Sequence, residues 1–212
     1  MGSTAHAHRS ALDPEARIGT ILGGRFRLDR VVGTGGMGAV YEATHLMLKQ
    51  RVAVKLLLDD PDPRALARFM AEAEVAASLR HPHIVHVYDV GQDPGGIVFL
   101  VQELLEGDSL RAALKRQGRL SPREALEALV PVLDALAAAH RRGIVHRDVK
   151  PENIFLARTP EGALVPRLID FGLSKMLGSG DEHGLTSSQV VLGTPRYIAP
   201  ERYLDPTHVG TQ

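Results

Sequence analysis

Between Val31 and Ala43 the chain reads VVGTGGMGAVYEA, with glycines 33, 35 and 38 in a G-x-G-x-x-G spacing that more than one kind of phosphate site shares. The residues after the last glycine decide the fold. A dinucleotide-binding turn needs a strand before the glycines and a helix after them, whose N-terminus receives the pyrophosphate. Here Gly38 is succeeded by Ala-Val-Tyr-Glu-Ala-Thr, in which β-branched and aromatic residues alternate and lead into more strand. A hairpin is therefore expected, and the dinucleotide reading is disfavoured. On this stretch alone an ordinary glycine-rich β-turn stays open.

Working outward, GGRFRLDRVVG before the glycines and QRVAVKLLL after them continue the short alternation, which predicts three antiparallel strands. After DDPDP the period changes, and Leu66, Phe69, Met70, Ala73, Ala76, Ala77 and Leu79 recur at helical spacing. HIVHVYDVG and GGIVFLVQELL read as two further strands, and EGD after them as a connector. SPREALEALVPVLDALAAAHRRG is the clearest helix, with Ser121 as N-cap, Pro122 at its first position, Glu124 closing a capping box and Gly143 at its end. The expectation is an α+β fold in two lobes: a five-stranded antiparallel lobe with one helix over 18–102, a connector over 103–107, and a mainly helical lobe over 108–212. Residues 1–17 read as a flexible tail.

The 212 residues, 44% of them apolar, suffice for one large domain or two small ones with their own cores. The 25 basic and 25 acidic side chains cancel, so nothing argues for non-specific binding to nucleic acid or membrane surfaces. Without cysteine there is no disulfide framework, thiolate metal site or thiol nucleophile. No apolar run approaches the roughly 18–20 residues that cross a bilayer. The first 17 residues lack the apolar core of a signal peptide, and His6 stands where a myristoylation pattern wants Ser or Thr. A cytoplasmic chain is expected.

Four more stretches carry chemistry. VAVK puts Lys55 on a strand between apolar residues, as either a snorkelling edge residue or a cation held for a phosphate. Glu72 lies on the amphipathic helix. HRDVKPEN packs Asp148, Lys150 and Asn153 into six residues, and LIDFG sets Asp170 at the end of an apolar run, with GTPRYIAPE further along. The ordered set GTGGMGAV, VAVK, HRDVKPEN, DFG and APE resembles the protein kinase superfamily, specifically the bacterial serine/threonine kinases of eukaryotic type, from about Gly24 to Glu201. Each motif alone is weak; five in order are highly specific.

The resemblance implies transfer of the ATP γ-phosphate to Ser/Thr hydroxyls of a protein substrate, a reaction in which the protein supplies positioning and charge neutralisation. It implies that Val32, Gly33, Thr34, Gly35, Gly36, Met37 and Gly38 lie over the ATP phosphates, and that Lys55, held by Glu72, binds two of them. Asn153 and Asp170 would hold Mg²⁺, Asp148 would take or orient the hydroxyl proton, Lys150 would neutralise the phosphoryl group, and Thr194 would bond to both. Val40 and Ala53 would lie above the adenine and Phe155 below it, with Glu103 and Leu105 offering backbone groups and Gln102 as gatekeeper. Residues 170–201 would form an activation segment, with autophosphorylation at Thr186 and Ser188 read by Arg147.

The histidines of HPHIVHVYD, at 81, 83 and 86, are disfavoured as a metal site because a proline turn leading into a strand points them to different faces. The chain also departs from the family by stopping eleven residues after Glu201, before the helices whose Asp and Arg support the catalytic loop and Glu201. A truncated helical lobe with uncovered apolar surface is expected. Three readings stay open: a fragment, a short protein with a partner covering the gap, or a non-catalytic nucleotide-binding scaffold.

Overall fold

Alternating apolar residues make strands where one face finds a core, and in the first hundred residues they do so. The computed structural model describes residues 13–35, 38–57, 63–170 and Tyr197. Its contacts divide the chain into two units: Met1–Asp62 with Val87–Leu104, and Pro63–His86 with Leu105–Gln212.

The first unit is an antiparallel sheet of β1 (Ile21–Leu22), β2 (Phe26–Gly35), β3 (Gly38–His45), β4 (Arg51–Leu57), β5 (Val87–Gln92) and β6 (Val98–Gln102) in the order β1-β2-β3-β4-β6-β5. The five expected strands are there, and β1 adds a sixth too short for any periodicity to reveal. Leu22, Phe26, Leu28, Tyr41, Val52, Val54, Phe99 and Val101 are buried together as its core, each large apolar side chain contributing about 1.5–3 kcal/mol by leaving water. One expectation fails at the edge. Pro14–Arg17, read as flexible tail, forms a 3₁₀ turn capped by Asp13, and the buried Tyr41 hydroxyl donates to the Pro14 carbonyl at 2.9 Å. A polar side chain and a buried phenol supply partners that apolar patterning does not register.

The second unit holds α1 (Pro63–Ser78), β7 (Gly107–Ser109), α2 (Leu110–Gln117), α3 (Pro122–His140), β8 (Ile154–Arg158) and β9 (Leu164–Leu168). The helix assigned from sequence to the first lobe thus groups here. Its C-terminal turn and the loop beyond it belong to this core, where Ala76, Leu79 and Ile84 pack with Ala128, Val132, Ala135, Ala139, Ile154 and Leu168. The loop is also stitched to β9, since Val85 N donates to Leu168 O at 2.9 Å and Leu168 N to His83 O at 2.8 Å. Beside the helices lies a sheet that was not anticipated, β7-β8-β9, all antiparallel. The expected connector ends earlier than 107 because Gly107 already pairs with Ala157. Gly107 has φ 140°, and a Cβ there would stand 2.1 Å from the Leu156 carbonyl oxygen, so only glycine lets β7 approach β8.

The start of α3 obeys the sequence signal. Ser121 Oγ accepts from Glu124 N at 3.3 Å while Ser121 N donates to Glu124 Oε2 at 2.7 Å, a complete capping box. The apolar stripe of α3 is only half used: Ala128, Val132, Ala135 and Ala139 are buried, whereas Leu126, Leu129, Val130 and Leu133 are exposed. Among the described residues no helix is long and apolar enough to cross a membrane.

Candidate active site

The two units carry separate sets of the residues singled out above. In the first, the strand register sorts them. Gly33 pairs with Val40, Val40 with Lys55 and Lys55 with Leu100, while Ala53 pairs with Glu42 and Gln102. Partners in an antiparallel ladder point to the same side of the sheet. Val40, Ala53, Lys55 and Gln102 therefore share one face, opposite the core face of Tyr41, Val52, Val54 and Val101. Lys55, Ala53 and Gln102 are buried. A lysine ammonium is rarely buried without an electrostatic reason, so the snorkelling alternative for Lys55 is excluded by its burial and by its place on an interior strand of the sheet. Beside it, Glu42 is held by Arg51 and Arg30. The hydrogen bond from Arg51 is the main influence that draws its carboxyl below the ordinary glutamate value, against the opposing effect of burial.

The strand runs on both sides of the glycines, with Gly35 paired to Gly38, so the turn is a hairpin with Gly36 and Met37 at its tip. Those two residues lie outside the described set. Gly38 has φ 133°, which only glycine adopts readily. Gly33 differs: its φ is ordinary and a Cβ would meet nothing within 4 Å. The local fold gives no reason for glycine at 33, whereas close approach of a ligand to the backbone would. Val32 and Thr34 flank it, both exposed.

In the second unit the residues of HRDVKPEN are tied together by hydrogen bonds rather than by a ladder. Asp148 Oδ2 accepts from Lys150 Nζ at 2.7 Å and from Asn153 Nδ2 at 2.9 Å, and Asn153 Nδ2 also donates to the Asp148 carbonyl at 2.8 Å. Asn153 closes the 3₁₀ turn Pro151–Asn153 and is 6% exposed. Its carbonyl accepts from Ile169 N at 2.9 Å, which brings the residue before Asp170 to the loop. Among the described residues Asp148 Oδ1 accepts no hydrogen bond, and neither does Asn153 Oδ1.

Sequence reasoning gave no role to His146, which organises this loop. It is 1% exposed, its Nε2 lies 2.9 Å from the Ile169 carbonyl, and its Nδ1 accepts from Asp148 N at 3.3 Å. Both contacts are satisfied by the neutral ring protonated on Nε2. Burial, the largest influence, pushes the imidazolium pKa down, in keeping with that neutral form. The signal was present as the histidine directly before Arg-Asp, but a lone histidine does not announce its partners. Arg147 and Asp170 have φ of 64° and 59°. Such left-handed backbone is uncommon outside glycine and concentrates where function requires it.

Phe155 sits on β8, opposite Ser109 and Arg167 in the ladder. Glu103 comes directly after β6, and Leu105 opens the second unit. Glu72 lies on α1; its side chain is outside the described set, as are Thr194, Thr186 and Ser188. The three histidines take different partners: His81 lies against Asp134, His83 against the Pro166 carbonyl and His86 against Arg80.

The oxygen donors fit a hard divalent cation. The Asn153 amide nitrogen is committed to Asp148, which turns Oδ1 outward as a free carbonyl ligand, and Asp170 adds a carboxylate on the segment bonded to Asn153; Mg²⁺ prefers such oxygens.

The sequence profile of a family described as "Protein kinase domain" matches residues 26–212. Serine/threonine-protein kinase PknA of Mycobacterium tuberculosis is 45% identical over 194 residues, which cover 89% of this chain and 43% of PknA. PknH of Mycobacterium bovis is 40% identical over 89% of this chain and 30% of its own length, and serine/threonine-protein kinase pkn2 of Myxococcus xanthus 39% over 86% and 22%. The chain spans less than half the length of these curated relatives.

Proposed function

The chain belongs to the protein kinase domain family, and we propose that it is the catalytic part of a serine/threonine protein kinase that transfers the ATP γ-phosphate to protein hydroxyls with Mg²⁺. The observation that carries this reading is the Asp148 carboxylate, one oxygen fixed by Lys150 and Asn153 and the other left to accept a third hydrogen bond. That is what a residue receiving the proton of an attacking hydroxyl requires.

In this reading residues 18–102 and 108–212 act as the two lobes of the kinase, joined at 103–107. The β2–β3 hairpin, Val32 to Gly38, covers the phosphates, Lys55 pairs with them and is held by Glu72, and Val40, Ala53, Phe155, Glu103 and Leu105 receive the adenine. Asp148 Oδ1 orients the substrate hydroxyl and accepts its proton as the bond from the γ-phosphorus to the serine or threonine oxygen forms and the bond to ADP breaks. Lys150 neutralises the moving charge, and Thr194 bonds to the same pair. Asn153 Oδ1 and Asp170 hold Mg²⁺, which when bound shields the phosphate oxygens between which charge shifts. Phosphorylation at Thr186 and Ser188 would give Arg147 a charge-assisted partner and order the activation segment.

Incubating the chain with γ-labelled ATP, Mg²⁺ and a mixed acceptor protein tests the reading. Label is expected on serine and threonine of the acceptor and, by phosphopeptide mapping, on residues 186–188 of the chain. Label on tyrosine alone, or none on the acceptor, would contradict the assignment; an unlabelled 186–188 segment would contradict the regulatory part only.

A further inference from the structure

A cavity of about 200 Å³ opens in the second unit between α2, the start of α3 and the β8–β9 hairpin. None of the residues assigned above to phosphoryl transfer lines it. Its floor is apolar: Leu110, Ala113, Ala128 and Pro166 are buried, and Leu156 is partly so. The ladder shows how this floor reaches solvent. Ile154 pairs with Leu168, Leu156 with Pro166 and Arg158 with Leu164, so one face of the hairpin runs from the unit's core to a mouth formed by an exposed arginine beside a leucine that is 55% exposed.

The charges around the mouth are not equivalent. Asp108 is paired with Arg116 at 2.8 Å, Glu127 with Arg123 at 2.8 Å, and Glu124 is engaged by the backbone of Ser121. Arg158 has no side-chain partner among the described residues. The site thus offers an apolar hole and one uncompensated cation.

Size narrows the occupant. A cavity of about 150 Å³ holds a benzene ring, whereas pockets for drug-sized molecules run from about 300 to 1,000 Å³. The volume suits a single large apolar side chain. We propose that this cavity is a docking site for an acidic segment of a protein partner, which inserts one Leu or Phe side chain and places a neighbouring Asp or Glu carboxylate on Arg158. Leu164 would close over the inserted side chain, and the arginine fork would take the carboxylate in a bidentate pair. Docking here does not depend on the proposed activity, because its test reads binding alone.

The probes are fluorescein-labelled Gly/Ser decapeptides carrying one Phe with a Glu at varied short spacing, monitored by fluorescence anisotropy against the full chain without nucleotide. Saturable binding with a Kd on the order of 10–300 μM is expected for at least one spacing. Replacing the peptide Phe by Ala should abolish it, and Arg158→Glu should weaken it by about tenfold or more while improving affinity for the Phe-Lys counterpart. Leu164→Asp should also weaken it. Both positions are exposed, and unchanged thermal melting would show that the fold is intact; Arg158→Gln gives the same reading if charge reversal lowers melting. Absence of saturation up to about 1 mM for every spacing, or equal affinity of wild type and the Arg158 variants, would overturn the proposal.

Discussion

The sheet face of the first unit and the loop of the second place their functional residues by different physics. On the sheet, Val40, Ala53 and Lys55 are positioned by a ladder whose period of two also buries Tyr41, Val52 and Val54 on the other side. Core packing and site geometry are one pattern there, and a residue cannot leave the site face without a register slip. In the loop no period operates. Asp148, Lys150 and Asn153 are held by side-chain hydrogen bonds, a buried histidine and two residues in left-handed backbone. A regular element thus yields a site robust to side-chain change, whereas an irregular one makes each polar group indispensable.

Glycines give the sharpest way to break this contrast. Gly107→Ala drives a Cβ against the Leu156 carbonyl in a backbone conformation that disfavours it, and should cost about 2–5 kcal/mol of stability. Gly33→Ala meets open space and should leave stability within about 0.5 kcal/mol while weakening Mg-ATP binding. Denaturant unfolding and nucleotide titration of the two variants check both halves. Equal destabilisation by the two substitutions would remove the distinction between a glycine kept for packing and one kept for a ligand.

Next in size is His146→Ala, which empties a buried site and strips the Ile169 carbonyl of its donor. A loss of about 2–4 kcal/mol is expected, with hydrogen exchange accelerated at the amides of Asp148 and Asn153 but not in β3 or β4. Uniform acceleration would deny the loop its separate support.

The smallest effect concerns Glu42 on the sheet. Its folded-state pKa lies below the ordinary value of 4.5, chiefly through Arg51. The unfolded state therefore binds the proton first as pH falls, so the contribution is full above pH 4.5 and is lost as pH drops through the lower folded value. Glu42→Gln should flatten stability against pH in that acid window and leave the slope above it unchanged, as read by urea unfolding at stepped pH.

The same contrast explains what was legible beforehand. Five strands, the Ser121 capping box and the hairpin around the glycines came from periodicity and cap chemistry, which are local signals. The small β7-β8-β9 sheet did not, because β7 has three residues and β9 carries Pro166 in mid-strand. The grouping of α1 with the second unit rests on contacts between segments far apart in sequence, such as Val85 with Leu168. Residue identities in the loop were visible as a motif, but the His146–Ile169 bond and the left-handed Arg147 and Asp170 needed coordinates.

The central claim is a division of labour in which the sheet face holds nucleotide and the loop performs transfer. Asp148→Asn measured for both properties tests it most directly. Thermal stabilisation by Mg-ATP should stay close to that of the unaltered chain, with γ-phosphate transfer reduced by about 10²–10⁴-fold. Transfer at the unaltered rate would contradict the claim.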